Sequence, residues 1–171
     1  MRSPFLFLLV ALFFVACQSA PEAPPAEEPA PVDTEQVQQE IEAALDAFIE
    51  AFKNKDIAAM SALLADDGLF CGTDPGELWG KEDLVATFEE MAATEELQID
   101  FTVDTRKVRV AEDGQSALAL EQMVIGFISP HVPTRQVYHF VKSGDGWLMD
   151  FSSAALIPVN EDLAKINAAY E

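Results

Sequence analysis

Histidine and cysteine are scarce: the 171 residues contain His131, His139, Cys17 and Cys71 and no others of either type. Two lone histidines and two distant cysteines lack the ligand spacing of a structural zinc site, so no specific metal site is expected. Basic charge is scarce as well. Ten Lys and Arg stand against 30 Asp and Glu, for a net charge of −20. Such a surface repels nucleic-acid phosphates and anionic headgroups, which argues against a nucleic-acid partner. The chain has no P-loop, no G-x-G-x-x-G and no G-x-S-x-G. That removes the phosphate-cradling and nucleophile-elbow classes, and no cofactor is expected. The longest apolar run before Cys17, residues 5–16, is 12 long, short of the roughly 20 residues a transmembrane helix needs.

That run follows Arg2 and has the length of a signal-peptide core, about 7–15 residues. It ends in FVAC, residues 14–17. A small residue followed by cysteine in this place resembles the bacterial lipoprotein signal, the lipobox, with Phe14 where leucine is usual. The resemblance implies cleavage before Cys17, lipidation of Cys17 and a membrane anchor in the bacterial cell envelope. Gln18 after the cysteine implies the outer membrane where the host has two. The alternative is a plain secretory signal with an incidental cysteine. Residues 18–33, QSAPEAPPAEEPAPVD, cannot bury a core and read as an extended tether. Residues 34–171 then form one domain, with 26 acids against 9 Lys and Arg. With Cys17 lipidated, Cys71 has no partner for an intrachain disulfide.

Apolar residues at three- and four-residue steps (Val37, Ile41, Leu45, Phe48, Phe52) predict a helix over 34–52. A short helix is expected over 57–64, ended by Asp66, Asp67 and Gly68. A strand over 69–71, a loop over 72–80 and a helix over 81–93 follow. The period then changes to two. Residues 97–111 carry Ile99, Phe101 and Val103 on one face and Val108 and Val110 on the other, so a bulge is expected near residues 106–107. Strands are expected at 116–129, 135–142 and 147–154, with a loop at 130–133, a tight hairpin at 143–146 and a closing helix at 160–170. Helices first and an antiparallel meander afterwards predict an α+β fold, three N-terminal helices packed on a strongly curved antiparallel sheet.

ALLADDGLF (62–70), GTDPGELWGKEDLVATFEEM (72–91), SGDGWLMDFSS (143–153) and PVNED (158–162) resemble the SnoaL-like domains of the cone-shaped fold shared with nuclear transport factor two, ketosteroid isomerase and scytalone dehydratase. The resemblance implies an apolar pocket inside the cone and, commonly, a dimer through the open sheet face. It also permits a test for isomerase chemistry, which needs a carboxylate base and two oxyanion donors. The positions matching the family's tyrosine donor, base and second donor are Phe48, Gly72 and Tyr138, and all three depart from the pattern. A His–Asp pair of the dehydratase type is not expected in the pocket either. His131 sits between prolines, and His139 faces away from Tyr138 on its strand. Cys71 is expected to be buried rather than nucleophilic, and the crowded LFCGTDPGELWGKED stretch (69–83) reads as a strand, turn and helix start.

The remaining pocket candidates are aromatic: Phe48, Phe52, Phe70, Trp79, Phe88, Phe101, Tyr138, Phe140, Trp147 and Phe151, with Asp100 and Arg106 as polar handles beside Tyr138. Two functions follow. One is an envelope-tethered, non-enzymatic domain that binds a small apolar molecule or a protein partner. The other is an isomerase, lyase or hydrolase using the same pocket.

Overall fold

A computed structural model describes residues 31–170. The expected signal segment, Cys17 and most of the tether lie outside the described residues. The first helix, α1 (Thr34–Lys53), starts where the Asp33 carboxylate accepts the Gln36 N–H at 3.0 Å, satisfying one of the free amides of its first turn. It buries Ile41 and Leu45. Lys55 turns the chain with a positive φ of 57°, and Asp56 caps α2 (Ile57–Ala62) through the Ala59 N–H.

The second helix stops at Ala62, earlier than the sequence predicts, because Leu64 already enters β1 (Leu64–Cys71). Asp66, Asp67 and Gly68 do not end a helix. They bulge out of β1 between Leu64, opposite Met149, and Leu69, opposite Phe151. A two-residue strand not anticipated in the loop, β2 (Leu78–Trp79), pairs with the end of β1. Then come α3 (Lys81–Ala93), β3 (Phe101–Val110), β4 (Ser116–Ile125), β5 (Ser129–Ser143), β6 (Gly146–Leu156), a single 3-10 turn (Asn160–Asp162) and α4 (Leu163–Ala168). The sheet order is β2-β1-β6-β5-β4-β3. All neighbours are antiparallel except β1 and β6. The β5–β6 turn has Gly144 at its first central position with φ 59°, as a II′ hairpin requires.

The bulge expected near residues 106–107 lies at Asp104, between the pairs Val103–Met123 and Thr105–Gln122. This shift puts Phe101, Val103, Arg106, Val108 and Val110 on one face, each opposite a buried residue of β4. The two apolar sets expected on opposite faces therefore share the helix side. Pro130 and Pro133 belong to β5 rather than to a loop. They fall where the β4 register jumps from Thr134 to Ser129, so their missing N–H groups interrupt no ladder.

The helices α1 and α3 pack on this one face of the sheet. Ile41, Leu45, Phe70, Leu84, Phe140 and Met149 form the centre of the core, each contributing about 1.5–3 kcal/mol by burial. Polar contacts fasten α1 to the β5–β6 hairpin. The Trp147 indole N–H and the Lys142 ammonium both donate to Glu40 Oε2, at 2.8 and 3.0 Å, and Lys142 lies 4.7 Å from the Trp147 ring centroid. The bonds from Trp147, Lys142 and Gln36 lower the Glu40 pKa from 4.5 to about 2. The depressed value means that this carboxylate stabilises the fold fully above pH 4.5 and that its contribution is lost as pH falls to about 2. Glu40→Gln is expected to flatten the fall in urea midpoint across that window. An unchanged slope in the variant would show that Glu40 is not the group responsible.

Candidate functional site

Between the helices and the sheet a cavity of about 210 Å³ remains unfilled. Phe48 and Phe52 of α1 and Leu84, Phe88 and Met91 of α3 form one wall. Phe70 and Trp79 come from β1 and β2, Phe127 and Ile128 from the connection after β4, and Tyr138 and Met149 from β5 and β6. The rings pack against one another: Phe52 lies 5.0 Å from Phe88, and Phe48 is 6.4 Å from Phe88 in an edge-to-face pose. Such tilted and edge contacts are favourable for aromatic quadrupoles. Polar groups are few: Cys71, Thr73, Glu77, Thr87, Gln136 and Ser152. No histidine, lysine or arginine of the described residues lines the cavity, and no three His, Cys, Asp or Glu among them are grouped to hold a metal ion.

Six of the sequence candidates meet here, Phe48, Phe52, Phe70, Trp79, Phe88 and Tyr138; Asp100, Phe101, Arg106, Phe140, Trp147 and Phe151 do not line the cavity. Asp100 is exposed before β3, its carboxylate so close to Gly126 that a Cβ there would lie 2.6 Å from it. Phe151 is displaced by a bulge. His139 faces Phe151 while the next residue, Phe140, faces Met149, so Asp150 is the extra residue of β6. One added residue reverses every later side chain. Ser152 and Ala154 therefore turn to the cavity, and Phe151 to the outer face. His139 is on that outer face as well, with Nδ1 2.6 Å from Asp150. The chain does hold a His–Asp pair, but on the side of the sheet away from the cavity.

Arg106 lies one layer behind the cavity. Its Nε donates to Glu121 at 2.7 Å and its Nη1 to Asp46 at 2.8 Å. Glu121 is fully buried and was missed in the sequence, where it reads as one more acid on a strand. It also accepts the Tyr138 hydroxyl at 3.2 Å. Burial, reinforced by the charge of Glu121 and this hydrogen bond, raises the Tyr138 pKa well above its ordinary value. Burial works against the Arg106 charge, yet the bonds to Asp46 and Glu121 raise its pKa. Tyr138 thus presents its ring to the cavity and commits its hydroxyl to an internal ion pair.

Glu77 was also missed. The 72–77 loop closes through Gly72 N–H to Glu77 O (2.9 Å) and Glu77 N–H to Asp74 O (3.0 Å). It folds the Glu77 side chain back so that Oε2 accepts the Thr73 and Asp74 N–H groups at 2.6 and 2.9 Å. The carboxylate lies over Gly72. A Cβ at position 72 would overlap Oε2 and stand 2.8 Å from Cδ. The acid missing at position 72 is thus replaced in space by one five residues later. The only sequence signal was the glycine, which leaves room for that approach.

A family model described as SnoaL-like domain matches residues 41–157. No curated protein matches the chain. Among solved structures, an NTF2-like protein of unknown function from Pseudomonas putida KT2440 superposes with a TM-score of 0.63 at 19% identity, covering 74% of this chain and 91% of that one. An uncharacterised protein with a cystatin-like fold from Caulobacter vibrioides gives 0.63 at 15%, covering 80% and 99%. A candidate dehydratase of the NTF2-like family from Streptomyces avermitilis gives 0.59 at 21%, covering 74% and 99%. At these identities the likeness is one of fold.

Removing the Arg106 guanidinium would leave Glu121 charged and buried, a defect that costs about 3 kcal/mol or more. Arg106→Met is expected to lose that much stability in urea unfolding, and the double variant with Glu121→Leu to recover most of it. Additive losses in the double variant would show that the two side chains do not act as a pair.

Proposed function

Because the chain belongs to the family of SnoaL-like domains, we propose that it is an envelope-tethered lipoprotein whose domain binds a small, mostly apolar molecule in its cavity. The observation that carries this reading is the unfilled, aromatic-lined space of about 210 Å³ with few polar groups. Concave apolar sites of this kind are typical ligand pockets. The apolar run, the FVAC segment ending at Cys17 and the Pro/Ala/Glu tether support the anchor. Acyl chains on Cys17 would hold the protein at the membrane, on the outer membrane where the host has one. Half-exposed Leu69 and Leu118, with Phe151 on the same outer face, support a homodimer through the open sheet.

A second reading is an isomerase, lyase or hydrolase. It draws on Glu77, whose carboxylate lies against Gly72 in a cavity that excludes basic groups, a place where a general base could reach a bound substrate.

Ala154 lines the cavity, and Ala154→Phe fills part of it. Titration of the full chain with 2-phenylethanol, read by calorimetry, is expected to show binding that the variant weakens at least tenfold with its thermal transition retained. Equal affinity in the folded variant would place the ligand elsewhere. For the anchor, Cys17→Ala is expected to move the protein from the membrane to the soluble fraction; a variant that stays with the membrane would contradict lipidation at Cys17.

A further inference from the structure

We infer that the cavity selects a cationic ligand: a small organic ammonium that carries an aromatic or similarly apolar group. The inference rests on the binding reading above and adds the charge of the ligand. Three observations point to it. Glu77 is the one carboxylate among the described lining residues, which include no lysine, arginine or histidine. Its Oε2 is held by the Thr73 and Asp74 N–H groups, and no hydrogen bond among the described residues reaches Oε1. One oxygen is fixed in place by the backbone while the other keeps its lone pairs for a ligand, a preorganised acceptor for an N–H of an ammonium.

The walls favour the same charge. Phe48, Phe52, Trp79 and Phe88 line the cavity, and the negative faces of such rings attract a cation within about 6 Å of their centroids. The surrounding field agrees with both, since acids outnumber basic residues 26 to 9 in residues 34–171. A strongly acidic domain raises the local concentration of cations. A carboxylate ligand such as a fatty acid would instead be brought beside Glu77 with no basic group among the described lining residues to pair it. Size sets the apolar part. A cavity of about 150 Å³ accepts benzene, so about 210 Å³ accepts one ring with a short aminoalkyl arm.

The test titrates the full chain at pH 7 with three ligands of nearly one shape: 2-phenylethylammonium, 2-phenylethanol and phenylacetate. The ammonium is expected to bind at least tenfold tighter than the alcohol, and phenylacetate weakest. Glu77→Gln keeps an oxygen for the two N–H groups and removes the charge. It is expected to erase the preference for the ammonium over the alcohol. A wild-type control needs no variant: raising salt from about 20 to about 300 mM screens the charge and is expected to weaken the ammonium alone. Equal binding of ammonium and alcohol, or a preference that survives both Glu77→Gln and salt, overturns the cationic inference and leaves the cavity reading standing. Absence of binding by all three overturns both.

Discussion

One extra residue in a strand turns every side chain beyond it to the opposite face, and the cavity depends on two such insertions. The first, at Asp104, keeps Phe101 and Val103 on the same side as Val108 and Val110. The helix face of β3 is then apolar but for Arg106, which is brought opposite Glu121. The second, at Asp150, ends the inward run of Trp147 and Met149 and replaces Phe151 with Ser152 and Ala154. Small side chains then face the helices where a phenyl ring would otherwise stand. The bulges also add twist and bend, which lets the sheet wrap a space rather than lie flat against α1 and α3.

Polar chemistry inside this shell is partitioned. Arg106 bridges Glu121 and Asp46 behind the cavity wall, and the Tyr138 hydroxyl is drawn into the same group. These residues hold the sheet to α1 and leave the wall itself apolar. Glu77 is arranged differently. Its fixation comes from backbone N–H groups of its own loop, with no basic side chain among the described residues that line the cavity. A carboxylate paired with arginine has its charge answered within the protein; one held only by amides still presents its charge to whatever enters.

Much of the fold was legible in the sequence because its signals are local. The spacing of Ile41, Leu45 and Phe48 and the SGDG hairpin each specify their element through near neighbours. So was the gathering of Phe48, Phe52, Phe70, Trp79 and Tyr138, since all lie on apolar faces that must meet inside a single-layer sheet covered by helices. What the sequence did not display depends on register and on long contacts. Whether Phe151 or Ser152 faces inward is decided by one unpaired residue. Whether Glu121 is a surface acid or a buried one is decided by Arg106, 15 residues away along the chain. Gly72 was read as a lost acid, because a position-by-position comparison cannot register a side chain that arrives from residue 77.

The central claim is that the space under the curved sheet is an open site, with an aromatic wall and a carboxylate at Gly72 ready for a charged partner. A crystal structure of the protein soaked in 2-phenylethylammonium tests it directly. The account predicts density for the ring between α1 and α3 beside Phe48 and Phe88, with the nitrogen within hydrogen-bonding distance of Glu77. A cavity closed by its own side chains, or the ligand bound only on the outer face of the sheet, would contradict it.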